Sequence, residues 1–225
     1  MIDLIFRIWR LALLLIPVSM LAAQKTPATD WQVWSEVDVI AQLSDRLNVT
    51  VPLVIRDSFG LANPQLAGLG PVFDFSLTRF ISVSGGYLFV SLPEIGPGYA
   101  VHVPLAAITL REAWRRFHFS DRNRAERLIG LPGSPIRYRN KLAIERPVGS
   151  GRFTPFVSDE VFYDFTQSEW TQNRLEIGVG TRLNRPLKLD TYYLEHSAHK
   201  SRPLSVHAIG VTLEIQIAKV KRSVP

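Results

Sequence analysis

Histidine and serine are the side chains of this sequence best suited to nucleophilic chemistry. Acyl transfer at a serine needs a histidine within hydrogen-bond reach to accept the hydroxyl proton. The candidate bases and nucleophiles are His102, His118, His196, His199, His207, Ser84, Ser158, Ser197 and Ser205. The sequence has no Gly-x-Ser-x-Gly, and Ser84 in SVSGG lacks the leading glycine. We therefore predict no catalytic residue.

Metal, cofactor and nucleic-acid sites find equally little support. His196 and His199 lie beside Glu195, but no third ligand follows at a recognised spacing, so we interpret them as surface-loop histidines. GVGTRL at 178–183 lacks the third glycine of a dinucleotide fingerprint. The excess of 26 Lys and Arg over 20 Asp and Glu is scattered among acids, unlike a nucleic-acid surface. We expect no metal, no cofactor and no nucleic-acid partner.

The stretch QNRLEIGVGTRL at 172–183 alternates without interruption. Leu175 and Ile177 fall on one face, and Arg174 and Glu176 fall on the other. Successive side chains of a strand point to opposite faces, so the pattern predicts one β-strand. In a water-soluble barrel the apolar face would point inward. In a membrane barrel the apolar face meets lipid and the charges face the lumen.

Nearly every later segment shows the same period of two. Short turns alternate with longer loops, as in a meander with one tight rim and one loose rim. Ser58–Gly70 and Pro93–Pro104 are predicted loops. Leu105–Phe119 fits either a short amphipathic helix or a strand, and we favour a strand because its neighbours are strands. The predicted fold is all-β, an antiparallel up-and-down transmembrane β-barrel of about 10–12 strands.

The polar faces of these strands are rich in arginine and glutamate rather than lysine, threonine and serine. Arginine and carboxylate form bidentate pairs that survive partial burial, so we predict a charge network inside the lumen. Its predicted members are Arg124, Glu126, Arg137, Arg139, Glu145, Glu160, Arg174, Glu176 and Arg182. The alternative is a soluble periplasmic β-barrel binding protein whose polar face is solvated.

The N-terminus has the three parts of a secretory signal. Met1–Arg10 is basic, Leu11–Leu21 is an uncharged apolar run, and Ala22-Ala23 supplies small residues for cleavage. The apolar run is shorter than the about 20 residues that a spanning helix needs. We predict a signal peptide over residues 1–23 and a barrel domain over residues 24–225. The absence of cysteine suits a chain that crosses the periplasm.

Several sequence blocks carry a family resemblance. They are the segment around Glu112, RNRAE at 122–126, RYRNK at 137–141, DEVFY at 159–163 and NRLEIGVG at 173–180. The most specific part is Glu160 followed by Asn173-Arg174 and Gly178. Together they resemble the bacterial domain-of-unknown-function 2490 family over essentially the whole mature chain. The resemblance implies a β-barrel of the outer membrane of a Gram-negative bacterium, with no assigned reaction.

We expect a non-enzymatic outer-membrane barrel, either a small pore or a structural element. Its expected partners are outer-membrane lipid and the outer-membrane insertion machinery. The chain ends AKVKRSVP, whereas that machinery usually recognises a terminal aromatic residue. The alternative is an outer-membrane lipid hydrolase or acyltransferase with a Ser/His site at one rim. That alternative requires a histidine within about 4 Å of a serine or carboxylate.

Overall fold

The computed structural model describes residues 29–58, 65–93, 95–199 and 205–217. The predicted signal peptide at residues 1–23 lies outside the described residues and stays a prediction. The described part of the chain consists of β-strands joined by turns and loops. The strands are β1 (Thr29–Gln42), β2 (Leu47–Ser58), β3 (Leu66–Leu69), β4 (Val72–Ser76), β5 (Ile81–Ser91), β6 (Ala100–Trp114), β7 (Phe117–Arg127), β8 (Ile136–Glu145), β9 (Phe153–Asp164), β10 (Glu169–Arg182), β11 (Leu187–Ala198) and β12 (Ser205–Ile217).

The strands close into one barrel. β3 and β4 both pair with β2 on one side and β5 on the other, so they are two halves of one strand interrupted at Gly70-Pro71. Twelve segments therefore fill eleven strand positions. Neighbours along the chain pair antiparallel, and β1 closes the barrel against β12 in parallel register. The prediction of an all-β meander barrel of 10–12 strands is confirmed.

The parallel closure follows from the odd number of strand positions. Each connection reverses the chain direction, so the first and eleventh strands of a meander run the same way. Val37 of β1 lies beside Leu213 of β12, with both side chains on the outer face. Our sequence-based expectation of antiparallel pairing throughout was therefore wrong at this one seam.

The segment Leu105–Phe119 is extended, as we favoured, but it holds parts of two strands. β6 runs to Trp114, Arg115 and Arg116 form a two-residue turn, and β7 begins at Phe117. Arg115 has a φ of 57°, in the left-handed region that tight hairpin turns require. The predicted loops were also too long, because β3 lies within Ser58–Gly70 and β6 begins before Pro104.

The two faces of the strands differ sharply. On β10, Ile177 is 60% exposed on the outer face, whereas Arg174 on the lumen face is 7% exposed. Large apolar side chains are exposed on the outside of most strands, among them Trp31, Leu53, Phe73, Tyr87, Phe89, Ile108, Leu110, Trp114, Val157, Leu175, Val179, Tyr193 and Ile209. The apolar face of the alternation therefore points outward. Among the described residues, no helix is long and apolar enough to cross a membrane.

The barrel has two different rims. We call one the turn rim, because it carries the connections 43–46, 77–80, 115–116, 146–152 and 183–186. The opposite end is the loop rim, where the described connections 128–135 and 165–168 lie. The strand β1 begins at the loop rim, and β12 runs toward the turn rim.

Candidate functional site

The lumen-facing charges converge on two buried carboxylates, Glu126 of β7 and Glu160 of β9. They are 3% and 1% exposed. Strand register brings the cations to them: Glu126 lies opposite Arg137, and Glu160 lies opposite Arg174. Both carboxylates sit on strands with an unbroken period of two, which keeps every second side chain on the lumen face.

Glu160 accepts from three guanidinium groups. Arg139 donates through Nη2 to Oε2 at 2.9 Å and through Nε to Oε1 at 3.1 Å. Arg122 Nη2 lies 3.1 Å from Oε1, and Arg174 Nη1 lies 3.1 Å from Oε2. The fork of Arg139 matches the geometry of a carboxylate, which is why arginine rather than lysine suits this position.

Glu126 forms the second centre. Arg124 Nη2 lies 2.7 Å from Glu126 Oε2, and Arg137 also pairs with this carboxylate. Arg139 reaches it as well, with Nη1 at 3.6 Å from Oε2. Arg139 therefore joins the two carboxylates into one network. Buried ions are stable only when such partners compensate them, so the network is intolerant of losing a member. Its hydrogen bonding is incomplete, because the Nε atoms of Arg122, Arg124 and Arg174 are buried without a hydrogen-bond partner.

Aromatic rings fill the space between the guanidinium groups. The Phe162 ring is 2% exposed, and the guanidinium carbons of Arg139 and Arg174 lie 4.9 and 5.1 Å from its centroid. Trp34 lies between Arg174 at 4.7 Å and Arg56 at 3.8 Å. Cation–π contacts of this kind gain strength where water is excluded. The rings and the ion pairs therefore pack against one another within the lumen.

Tyr192 of β11 fills the neighbouring part of the lumen, where two glycines face it. Gly178 and Gly210 are its direct partners on β10 and β12. A Cβ at Gly178 would lie 2.7 Å from the Phe156 ring and 2.7 Å from Tyr192 Cβ, and a Cβ at Gly210 would overlap the Tyr192 ring. Glycine is therefore required here by the close approach of an aromatic ring.

A second group of charges lies nearer the turn rim. Lys141 Nζ is 2.7 Å from Glu176 Oε2, and Ser158 donates to the same oxygen at 3.0 Å. Lys188 Nζ pairs with Asp190 at 2.9 Å and with Glu214 at 3.1 Å. These pairs border a cavity of about 160 Å³.

The nine residues predicted from the sequence lie in four different places. Six of them, Arg124, Glu126, Arg137, Arg139, Glu160 and Arg174, belong to the central network. Glu176 belongs to the second group of charges, and Glu145 pairs with His118 at 3.3 Å. Arg182 is exposed at the turn rim and, among the described residues, has no ion pair.

Sequence reasoning missed four contributors to the central network: Arg56, Arg122, Trp34 and Phe162. The signal for two of them was present. Arg122 is two residues from Arg124, and Phe162 is two residues from Glu160, so each shares the lumen face of its strand. Arg56 and Trp34 are opposite each other on β2 and β1, and only the register shows that they meet.

The histidines are spread over both faces of the barrel. His102 contacts Tyr87 on the outside, and His207 Nδ1 lies 2.5 Å from the Tyr193 hydroxyl. His196 was interpreted from the sequence as a surface-loop residue, which is wrong: it lies in β11, faces the lumen and stacks on Phe162, with ring centroids 6.3 Å apart. His118 pairs with Glu145. In the described ranges no histidine hydrogen-bonds a serine, and no group of three His, Cys, Asp or Glu residues is placed to hold a metal.

Fold and site together define a closed β-barrel with an ion-paired interior and a largely apolar outer surface. That surface is interrupted on β7–β10 by a hydrogen-bonded polar group, Asp121, Asn123, Asn140, Asp159 and Asn173. A family model described as "Protein of unknown function (DUF2490)" matches residues 31–204. The chain belongs to this family. No curated protein matches it.

Proposed function

We propose that this chain is a transmembrane β-barrel protein of the Gram-negative outer membrane whose lumen is held closed by its ion-pair network. The observation that carries the proposal is the orientation of the faces. Soluble monomers rarely expose apolar patches larger than a few hundred Å². Here large apolar side chains are exposed on the outside of most strands, while arginine and glutamate fill the interior. Lipid is the environment in which that distribution is favourable.

Strand length supports the same proposal. β7, β8 and β9 have 11, 10 and 12 residues. A tilted strand crosses the hydrocarbon core with about 9–11 residues. Closure of the sheet leaves no unpaired edge, as the interior of a bilayer demands. Aromatic side chains lie near both rims, for example Trp170 at the loop rim and Trp114 at the turn rim, where membrane barrels carry aromatic girdles.

Membrane fractionation of the full chain and of a form lacking residues 1–23 tests the location. We expect the full chain in the outer-membrane fraction, resistant to extraction at high salt, and the shortened form outside it. In detergent gels the unheated protein should migrate as a compact barrel and shift on boiling. Recovery of the full chain from a soluble fraction would contradict the proposal and support a soluble barrel.

Within the membrane proposal, we favour a structural element over an open pore. Glu126, Glu160 and Phe162 are each at most 3% exposed, so these three side chains have little contact with water. Reconstitution in planar bilayers should therefore give no steady conductance. The triple variant Arg139→Ser, Glu160→Ser, Arg174→Ser removes the plug and should conduct. Steady conductance of the unmodified protein would instead favour a small pore.

A lipid hydrolase or acyltransferase is the second candidate, and one observation keeps it testable. His118 lies 3.3 Å from Glu145 and could be oriented by it as a general base. The pair lies at the turn rim on the lumen side, away from the lipid-facing surface. Phospholipid release by the purified protein that is lost in His118→Gln would support an enzyme. We expect no release that depends on His118.

A further inference from the structure

Arginine occurs in every connection of the turn rim. The seven residues are Arg46, Arg79, Arg115, Arg116, Arg146, Arg152 and Arg185, and all are exposed. The same connections contain one acidic residue, Asp45. The net charge of these turns is therefore +7 − 1 = +6. A ring of one charge sign at one end of a barrel attracts ligands of the opposite sign.

Four of these arginines stack on aromatic rings next to the outer face. The guanidinium carbon lies 4.3 Å from the ring centroid for Arg79 over Phe80 and 4.9 Å for Arg115 over Trp114. The distance is 5.2 Å for Arg146 over Phe117 and 5.7 Å for Arg152 over Phe153. A guanidinium stacked by its face keeps its N–H donors free at its edge. The stacking therefore holds the N–H donors at the same position along the barrel axis as the aromatic side chains.

The described loop-rim connections 128–135 and 165–168 have aromatic side chains beside them but no arginine within them. Arg127 ends β7 next to the first of these connections, and Lys200 and Arg202 lie outside the described residues. Tyr163 lies 5.2 Å from both Phe165 and Trp170, measured between ring centroids. The connections 128–135 and 165–168 contain no lysine or arginine. Among the described residues, no guanidinium stacks on this loop-rim cluster. In the part of the chain that the structure describes, aromatic residues near a rim therefore carry stacked arginines at the turn rim only.

We propose that the turn rim binds the phosphate groups of anionic phospholipid, with phosphatidylglycerol as its ligand. This inference rests on the proposed membrane location. Aromatic residues of membrane proteins sit at the depth of the headgroups, so the stacked guanidinium groups meet the phosphates there. Arginine matches phosphate oxygens with two parallel hydrogen bonds. Short turns of bacterial barrels face the periplasm, which assigns the ring to the phospholipid leaflet on that side.

Tryptophan fluorescence can compare the two rims in one protein. A turn-rim reporter keeps Trp114 and carries Trp9→Phe, Trp31→Phe and Trp170→Phe. The matched loop-rim reporter keeps Trp170 and carries Trp9→Phe, Trp31→Phe and Trp114→Phe. Both retain Trp34 in the lumen, so its signal cancels. Each reporter is reconstituted in vesicles of brominated phosphatidylcholine, which quenches tryptophan, with increasing fractions of unbrominated phosphatidylglycerol.

We expect phosphatidylglycerol to displace the brominated lipid from Trp114 at least about five-fold better than unbrominated phosphatidylcholine does. Each basic residue near an anionic membrane surface increases the affinity by about five-fold. At Trp170 the two lipids should compete equally. Arg79→Gln, Arg115→Gln, Arg146→Gln and Arg152→Gln, combined in the Trp114 reporter, should abolish the preference. Lysine at the same four positions keeps the charge, so that variant should retain part of the preference for phosphatidylglycerol.

The remaining outcomes distinguish failure of the phosphatidylglycerol site from failure of the membrane location. Equal competition at Trp114, or a preference that survives the four glutamine substitutions, overturns the phosphatidylglycerol site while quenching itself still supports the membrane location. A stronger preference at Trp114 for lipopolysaccharide than for phosphatidylglycerol overturns the assignment to phospholipid. Absence of quenching at both tryptophans by every brominated lipid overturns the membrane location as well.

Discussion

Glu160 of β9 and Arg174 of β10 are direct cross-strand partners, and their side chains meet in the lumen with Nη1 and Oε2 3.1 Å apart. On the same two strands, the neighbouring residues Val161 and Leu175 point outward. One register therefore places a buried ion pair on one side of the sheet and an apolar surface on the other. This arrangement is the reverse of that in a soluble barrel, whose apolar side chains point inward.

Glu160→Gln should destabilise the barrel strongly. The substitution removes the negative charge that three guanidinium groups share, and it leaves Arg139 and Arg174 enclosed in the lumen, and the partly exposed Arg122, without it. Loss of one member of a buried ion pair typically costs about 3–5 kcal/mol. Urea unfolding in lipid vesicles measures the change. Glu195→Gln is the control and should not destabilise the barrel, because Glu195 is exposed on the outer face beside Leu175 and has no ion pair among the described residues. Equal effects of the two substitutions would show that the network does not stabilise the fold.

Gly210→Ala should destabilise the barrel because the new methyl group would overlap the Tyr192 ring. Forcing extra volume into a packed interior costs about 1–3 kcal/mol. Gly85→Ala is the matched control, since a Cβ there has no neighbour within 4 Å. Alanine in a compatible position stabilises by about 0.4–1 kcal/mol. The same unfolding experiment compares the two, and a neutral Gly210→Ala would argue that Tyr192 does not lie over the glycine.

Leu53→Arg tests the outer face at the middle of β2, where Leu53 is 45% exposed. A charge on the lipid face near the bilayer centre costs about 2–4 kcal/mol, falling to about 0–1 kcal/mol near the interfaces. Leu183→Arg in a turn-rim connection is the control, because it lies at the interface depth. Folding yields in vesicles should fall for Leu53→Arg alone. Equal yields would mean that Leu53 does not contact hydrocarbon.

The parallel seam can be tested by cross-linking, since the chain has no cysteine. Val37→Cys and Leu213→Cys are partners across β1 and β12 and should form a disulfide on mild oxidation. Val37→Cys with Ile209→Cys is displaced by four residues along β12 and should not. Gel mobility after oxidation distinguishes the closed barrel from an open sheet. Failure of the first pair to cross-link would contradict the closure.

The sequence allowed the face of each strand to be predicted wherever the period of two was unbroken. On β10 the alternation of Arg174, Leu175, Glu176 and Ile177 was enough to place two side chains inside and two outside. It could not show which arginine meets which glutamate, because register depends on the length of the turns. Arg139 joins Glu126 and Glu160 only because β8 lies between β7 and β9 in one particular alignment.

The β6–β7 hairpin was missed for a physical reason. Its turn, Arg115-Arg116, has none of the glycine, asparagine or proline that normally marks a tight turn. The signal in the sequence was a shift in the alternation of side chains. Glu112 and Trp114, at even positions, point outward before the turn, and Phe117 and Phe119, at odd positions, point outward after it. The pairing of β1 with β12 left no local signal, since it joins segments from opposite ends of the chain.

The most direct test of the account is a spin-label scan of β10 in lipid vesicles, with single cysteines at Leu175, Glu176, Ile177, Val179 and Arg182. Collision with oxygen reports contact with hydrocarbon, and collision with a water-soluble nickel complex reports contact with water. We predict high oxygen accessibility and low nickel accessibility at positions 175, 177 and 179, low accessibility to both reagents at Glu176, which is 9% exposed in the lumen, and high nickel accessibility at Arg182, which is exposed at the turn rim. Nickel accessibility that is uniformly high, or highest at Ile177, would contradict a membrane-spanning barrel.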